Sequence, residues 1–254
     1  FQTLDSVRDK NGRPAVFTCF SLSANIDFEK VIENGLPEYI YEDLNQTYAK
    51  LKGYQSMQDL WKEGISNRFL SPEFHGREHL NIRYFEEAIS KSDTLIRTCL
   101  ANRSYTGLTN RYFPHIKYSS AFDFEEFDEN ESLKKIIDDG AKLFKIVFGV
   151  SPSSYTPPSS SDHQVLEATL AATGLRYLDR PLVKTEHQGK GKYKKKYYYS
   201  GRKTAFGQIA VVRNCQFEPT ENSFSNWVAH TMTQIEVAFA HHRPAVISSH
   251  RVNF

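Results

Sequence analysis

Short dense apolar runs alternate along this chain with longer stretches of helical spacing. PAVFTCF (14–20), FLSPEF (69–74), RYLD (176–179, closed by Pro181) and AVISSH (245–250) read as strands. SSYTPP (153–158) is short and extended. Helical spacing fills the intervals. Phe1, Leu4 and Val7 share a face that Gly12 ends. Residues 28–68 are mostly helical, anchored by Leu60 and Trp61. Ile82, Phe85 and Ile89 mark 82–101. Leu133, Ile136, Ile137, Ala141, Phe144, Val147 and Phe148 line one side of an amphipathic helix, with Gly149 just past its end. Ser161-x-x-Gln164 has capping-box form and opens a helix to Ala172, with Gly174 beyond it. Residues 190–213 predict a hairpin turning at Ser200-Gly201, ending in GQIAVVRN. Ser225 caps a helix running to about His241, and Pro244 breaks it. Strands that alternate with helices in this way predict a largely parallel sheet, open or closed into a barrel, whose ligands collect at the carboxyl ends of the strands. A chain that starts within a helix predicts at least one earlier strand.

With 254 residues, a single domain spanning 1–254 is expected. Hydrophobic residues make up 39% and charged residues 24%, which excludes a disordered or collagen-like chain. The formal net charge of +2 selects neither nucleic acid nor membrane through a global field. No apolar run approaches the length of a membrane span. Cys19, Cys99 and Cys215 form no C-x-x-C pair, which favours a reducing, cytoplasmic setting.

Three strand ends carry candidate chemistry. His75 and His79, four apart after FLSPEF, can aim two imidazole nitrogens at one divalent ion, zinc suiting such ligands. Arg77 and Glu78 lie between them as candidates for orienting the rings or contacting substrate. His75-Gly76-Arg77-Glu78-His79 also satisfies H-x-x-E-H, a metalloprotease pattern that requires a continuous helix through the five residues. His250 ends the last strand, where a neutral imidazole can serve as general acid. Thr156 and Pro157 present a carbonyl ridge after the 153–158 run. Asp179, Arg180, Arg213, Asn214 and Glu218 sit at further strand ends as candidate substrate contacts. Asp179 and Glu218 are also spare carboxylates.

The order of these parts resembles the polysaccharide deacetylase (NodB-type) family, in a divergent deacetylase-like branch. His75-Gly76-Arg77-Glu78-His79 matches the spacing of that family's H-[ST]-x-x-H motif, with Gly76 in place of Ser or Thr. Thr156-Pro157-Pro158 resembles its R-x-P motif, with Thr156 in place of Arg; Arg180 or Arg213 are candidates to restore the cation. Val246-Ile247-Ser248-Ser249-His250 matches its last, histidine-ending strand. The resemblance implies a distorted (β/α) barrel and one divalent metal held by Asp-His-His. That metal activates water against an acetyl group of a glycan. It implies His75 and His79 as ligands and His250 as the acid. The family's first motif, a strand ending in two aspartates that supplies the base and the third ligand, lies ahead of the helix that opens this chain and has no counterpart here.

Residues 184–203 carry eight Lys or Arg against Glu186 alone, interleaved with Tyr193, Tyr197, Tyr198 and Tyr199. This basic excursion, about 184–207, is read three ways: a solvated hairpin, an acidic-polysaccharide surface, or a single-stranded nucleic-acid surface. The acidic stretch 123–131 offers a counter-charge that favours the solvated hairpin, so no stable nucleic-acid partner is expected. The expected activity is removal of acetyl groups from a glycan. The alternatives are a glycan-binding protein of the same fold that lacks a base, a nucleic-acid-binding module and the metalloprotease.

Overall fold

The computed structural model describes residues 1–35, 38–109, 111–221 and 226–250. Its centre is a parallel sheet of five strands, Phe17–Ser21, Leu70–Phe74, Ser154–Tyr155, Tyr177–Asp179 and Ile209–Val211, lying side by side in chain order. Three residues on, Cys215–Gln216 pairs in parallel with Ile247–Ser248. The parallel sheet predicted from the alternating runs is therefore present. A cavity of about 550 Å³ is lined by Thr18 and Phe20 of the first strand, Tyr177 and Val211 of middle strands and Ile247 of the last, so the strands curl around a common space. Among the described residues the strands do not close into a barrel.

Pro72 sits inside the Leu70–Phe74 strand, where it has no N–H to give. The Ser154–Tyr155 strand joins that neighbour only at Phe74. Upstream of the join, the buried Glu73 carboxylate accepts the backbone N–H groups of Ser153 (2.7 Å) and Ser154 (2.6 Å), so donors without a strand partner are still satisfied.

The Asn130–Phe148 helix packs its apolar face on the sheet and ends at Gly149 in a left-handed conformation. Phe74, Phe122, Phe144, Tyr155, Leu166 and Leu178 fill the space between, all fully buried. Phe144 and Phe148 stand 4.5 Å apart, and Trp61 meets Phe148 edge-on at 4.9 Å. A second apolar cluster lies under the helices Ile82–Ser90 and Thr94–Ala101. Among the described residues no helix is long and apolar enough to cross a membrane. Cys19, Cys99 and Cys215 are free thiols.

Several local expectations are corrected. The first helix is only Gln2–Ser6, because Val7 is extended and exposed; Phe1 stacks on Phe69 instead. The 28–68 stretch is interrupted by Tyr41–Asp43, which pairs antiparallel with Ala24–Ile26, and Leu60 is exposed while Trp61 is packed. His163, not Ser161, caps the turn before the Glu167–Ala172 helix: its Nδ1 accepts the Val165 N–H. The basic hairpin is Val183–His187 against Tyr193–Tyr197, turning through Gly189 and Gly191, so Ile209–Val211 is free to join the parallel sheet. Ser225 lies outside the described residues; Asn226 caps Trp227–Ala240 by accepting the Ala229 N–H.

Candidate functional site

The Leu70–Phe74 strand delivers His75 to the carboxyl end of the sheet, where its backbone N–H donates to Ser21. The His75 Nδ1–H donates to the Thr156 carbonyl at 2.7 Å, which leaves Nε2 as the lone-pair nitrogen. Burial holds this imidazole below its ordinary pKa and favours the neutral form. His79 stands across a tight turn, its ring centroid 5.2 Å from that of His75. Gly76 makes the turn at φ +103°. A Cβ there would come within 3.0 Å of the Phe122 ring, so both conformation and space call for glycine.

The turn is clamped from below by Arg77. Its guanidinium donates to Glu78 and Asp139, both at 2.7 Å, and lies 4.1 Å from the centroid of the Tyr41 ring. Gly140 lets the helix come close: a Cβ there would sit 2.8 Å from the Arg77 Cβ. Arg77 is thus buried as a fastening between turn and helix, not presented to a ligand as expected. Glu78 is spent in the same way, on Arg77 and the Tyr39 hydroxyl. Residues 75–79 are not helical, which removes the geometry that the H-x-x-E-H metalloprotease reading requires.

Thr156 is the joint between the histidine pair and the neighbouring groups. Its Oγ1 donates to Asp179 Oδ2 at 3.0 Å, and Arg213 Nη2 donates to the same carboxylate oxygen. Arg213 Nη1 reaches Ser248 Oγ at 3.3 Å. Of the two arginines considered for the missing cation, Arg213 is the one beside Thr156 and Asp179. Arg180 is fully buried and committed to Asp162 at 3.0 Å.

A cavity of about 460 Å³ opens beside this chain of contacts, with Pro157, Asp179, Arg213, Glu218, Ser248 and His250 in its wall. The His250 ring is 76% exposed, and its Nδ1–H donates to Glu218 Oε1 at 2.9 Å. Glu218 is itself buried, so it fixes tautomer and orientation together. Asn214 lines the same wall, yet its side chain ties down the last strand: Oδ1 accepts the Val246 N–H and Nδ2 donates to the Pro244 carbonyl. His75 is linked to this cavity through Thr156 and Asp179, with His79 beside it, but neither histidine lines the cavity.

Among the described residues no group of three or more His, Cys, Asp or Glu side chains stands close enough to hold a metal. His75 and His79 fit two positions of such a site, one of them already oriented by a carbonyl as metal-bound imidazoles usually are.

Sequence reasoning missed two arrangements. His187 is buried with Nδ1 2.6 Å from Asp123 while its Nε2 accepts the Gly191 N–H. Lys184 and Glu186 face inward beneath the hairpin, against Asp162 and His163. The alternation of Lys184, Thr185, Glu186 and His187 is the signal that could have placed both charges on one face.

No family model matches this chain, and no curated protein does. Among solved structures, the alpha-amylase AmyC from Thermotoga maritima aligns over 67% of this chain and 24% of its own, at 11% identity and a TM-score of 0.33. The chain thus spans about a quarter of that enzyme's length, and so slight a likeness carries no argument about fold or activity.

Proposed function

We propose that this chain removes acetyl groups from a glycan, as a divergent NodB-type deacetylase on a barrel-like fold. The observation that carries the reading is the hydrogen-bonded link from His75, with His79 beside it, through Thr156 to Asp179 in the wall of a cavity that also holds an oriented His250. The ordered run of parallel strands around one space supports the barrel. His75 and His79 would hold a divalent ion, with zinc suited to imidazole. When bound, that ion supplies Lewis acidity toward water and the acetyl oxygen. Asp179 has its Oδ2 engaged by Thr156 and Arg213, and its Oδ1 is the candidate for accepting the proton of the attacking water. The Glu218 carboxylate accepts Nδ1–H of His250 and so leaves Nε2 to be protonated. As an imidazolium held by that carboxylate, the ring would give its Nε2 proton to the departing amine or alcohol and return to the neutral form, a role worth about 10²–10⁴ in rate.

Acetate release from acetylated oligosaccharides, with and without zinc, tests the reading. Release should depend on added zinc, disappear in His75→Ala, and fall about 10²-fold or more in His250→Ala and Asp179→Asn. A competing reading, glycan binding without turnover, draws on the two-histidine donor set among the described residues. It predicts binding of the same oligosaccharides with no acetate at any zinc concentration.

A further inference from the structure

The hairpin strand Tyr193–Tyr197 roofs a second cavity of about 470 Å³, separate from the histidine cavity. Lys194, Lys195, Arg202 and Lys203 are exposed in its wall, with the Tyr197 and Tyr198 rings between them. Among the described residues Lys194, Lys195 and Lys203 have no carboxylate partner, whereas Lys196 is taken by Glu186 at 2.5 Å. Arg202 is pre-positioned: Nη1 donates to the Tyr197 carbonyl and the guanidinium lies 5.1 Å from the Tyr198 ring centroid. Glu167, the carboxylate of this lining, is buried toward Arg180 at 3.7 Å. Lys190 at the hairpin turn, outside this pocket, is paired with Glu126 at 2.9 Å. A cavity of this size has room for one or two sugar rings. The two cavities share a wall. Leu182 lines the first, its carbonyl accepts the Tyr198 N–H at 2.9 Å, and Tyr198 lines the second.

We propose that this basic pocket binds the oxyanion substituent of a sugar, a carboxylate or a sulfate, so that the glycan taken by this chain is an acidic one. The inference rests on the glycan reading above and adds the charge of the substrate. Ammonium and guanidinium groups pair with the oxyanion while the exposed Tyr197 ring offers a face to the sugar.

Titration calorimetry at low salt tests it with four probes free of acetyl groups: an oligogalacturonate, a sulfated oligosaccharide, a neutral glucosamine-free β-glucan oligomer and a single-stranded oligonucleotide. At least one acidic oligosaccharide should bind about tenfold more tightly than the neutral one. Lys194→Glu with Lys203→Glu should abolish that difference, and Lys194→Met with Lys203→Met should reduce it; both pairs should melt like the parent. Equal affinity for the neutral oligomer, affinity untouched by the charge reversal, or tighter binding of the oligonucleotide than of any acidic oligosaccharide would overturn the proposal. Acidic-glycan binding without acetate release in the separate assay would leave this inference standing and remove the hydrolase reading. Release from a neutral acetylated glycan, with no preference for acidic probes, would do the reverse.

Discussion

Two regions of the molecule are packed by different kinds of interaction. Beneath the Asn130–Phe148 helix the contact is made of rings and aliphatic chains, Phe74, Phe144, Tyr155 and Leu166 among them. Beneath the Val183–His187 and Tyr193–Tyr197 hairpin it is made of charges. Asp162 meets Arg180 and Lys184, Glu186 meets Lys196 and His163, and Asp162, Arg180 and Glu186 are at most 1% exposed in their side chains. Apolar contact is non-directional and tolerates a change of shape that keeps volume. A buried charge layer does not, because losing one member strands the others away from water. The difference explains how a lysine-rich segment is held down at all: its inward face is satisfied ion by ion, and its outward face is left to solvent or ligand.

The contrast breaks most sharply at Asp162. Burial pushes its carboxyl pKa up, but Arg180 and Lys184 outweigh burial and hold it below the usual carboxylate range. Asp162→Asn keeps the shape and removes the charge, and should cost about 3–5 kcal/mol in urea unfolding. Leu166→Met, an equally conservative change in the ring layer, should cost less than about 1.5 kcal/mol. Comparable losses in the two variants would erase the distinction.

A smaller effect is expected where helix and histidine turn touch. Gly140→Ala drives a methyl group into Arg77 and should destabilise by about 1–3 kcal/mol. Wild-type stability in that variant would show that the close approach is slack.

The mildest test is acidity. Burial holds the His163 imidazole below its ordinary value of 6.5, so the unfolded chain takes up a proton there before the folded one does. Its contribution to stability therefore falls as pH drops below about 6.5 and levels off once the folded ring is also protonated. His163→Asn keeps an acceptor for the Val165 N–H and should flatten the loss of Tm between about pH 7.5 and 5.5. An unchanged slope would move the effect to other groups. The Asp162 share, present above its unfolded value of 3.8, disappears only at lower pH.

The ring layer was legible in the sequence and the charge layer was not, for a physical reason. Leu133, Ile137, Phe144 and Phe148 repeat at helical spacing, and hydrophobicity is itself the signal of burial. Lys184 and Glu186 alternate just as regularly, but a charged residue signals burial only once its partner is known. Asp162 and His163 come from a different element, some twenty residues upstream. The same limit applied at the site. The strand ends bearing His75 and His250 could be read off, because strand termini follow from apolar runs. Arg77 could not be assigned, since its partner Asp139 is supplied by a distant helix. Thr156 looked like a lost arginine, and the contact it makes to His75 is through its backbone carbonyl, which no side-chain pattern encodes.

The succession of strands in the sheet has a consequence for how the protein is made. Each strand from Phe17–Ser21 to Ile209–Val211 lies against the one synthesised before it. A nascent chain leaving the ribosome can therefore dock every new strand on a completed edge without waiting for a distant partner, so assembly can keep pace with translation.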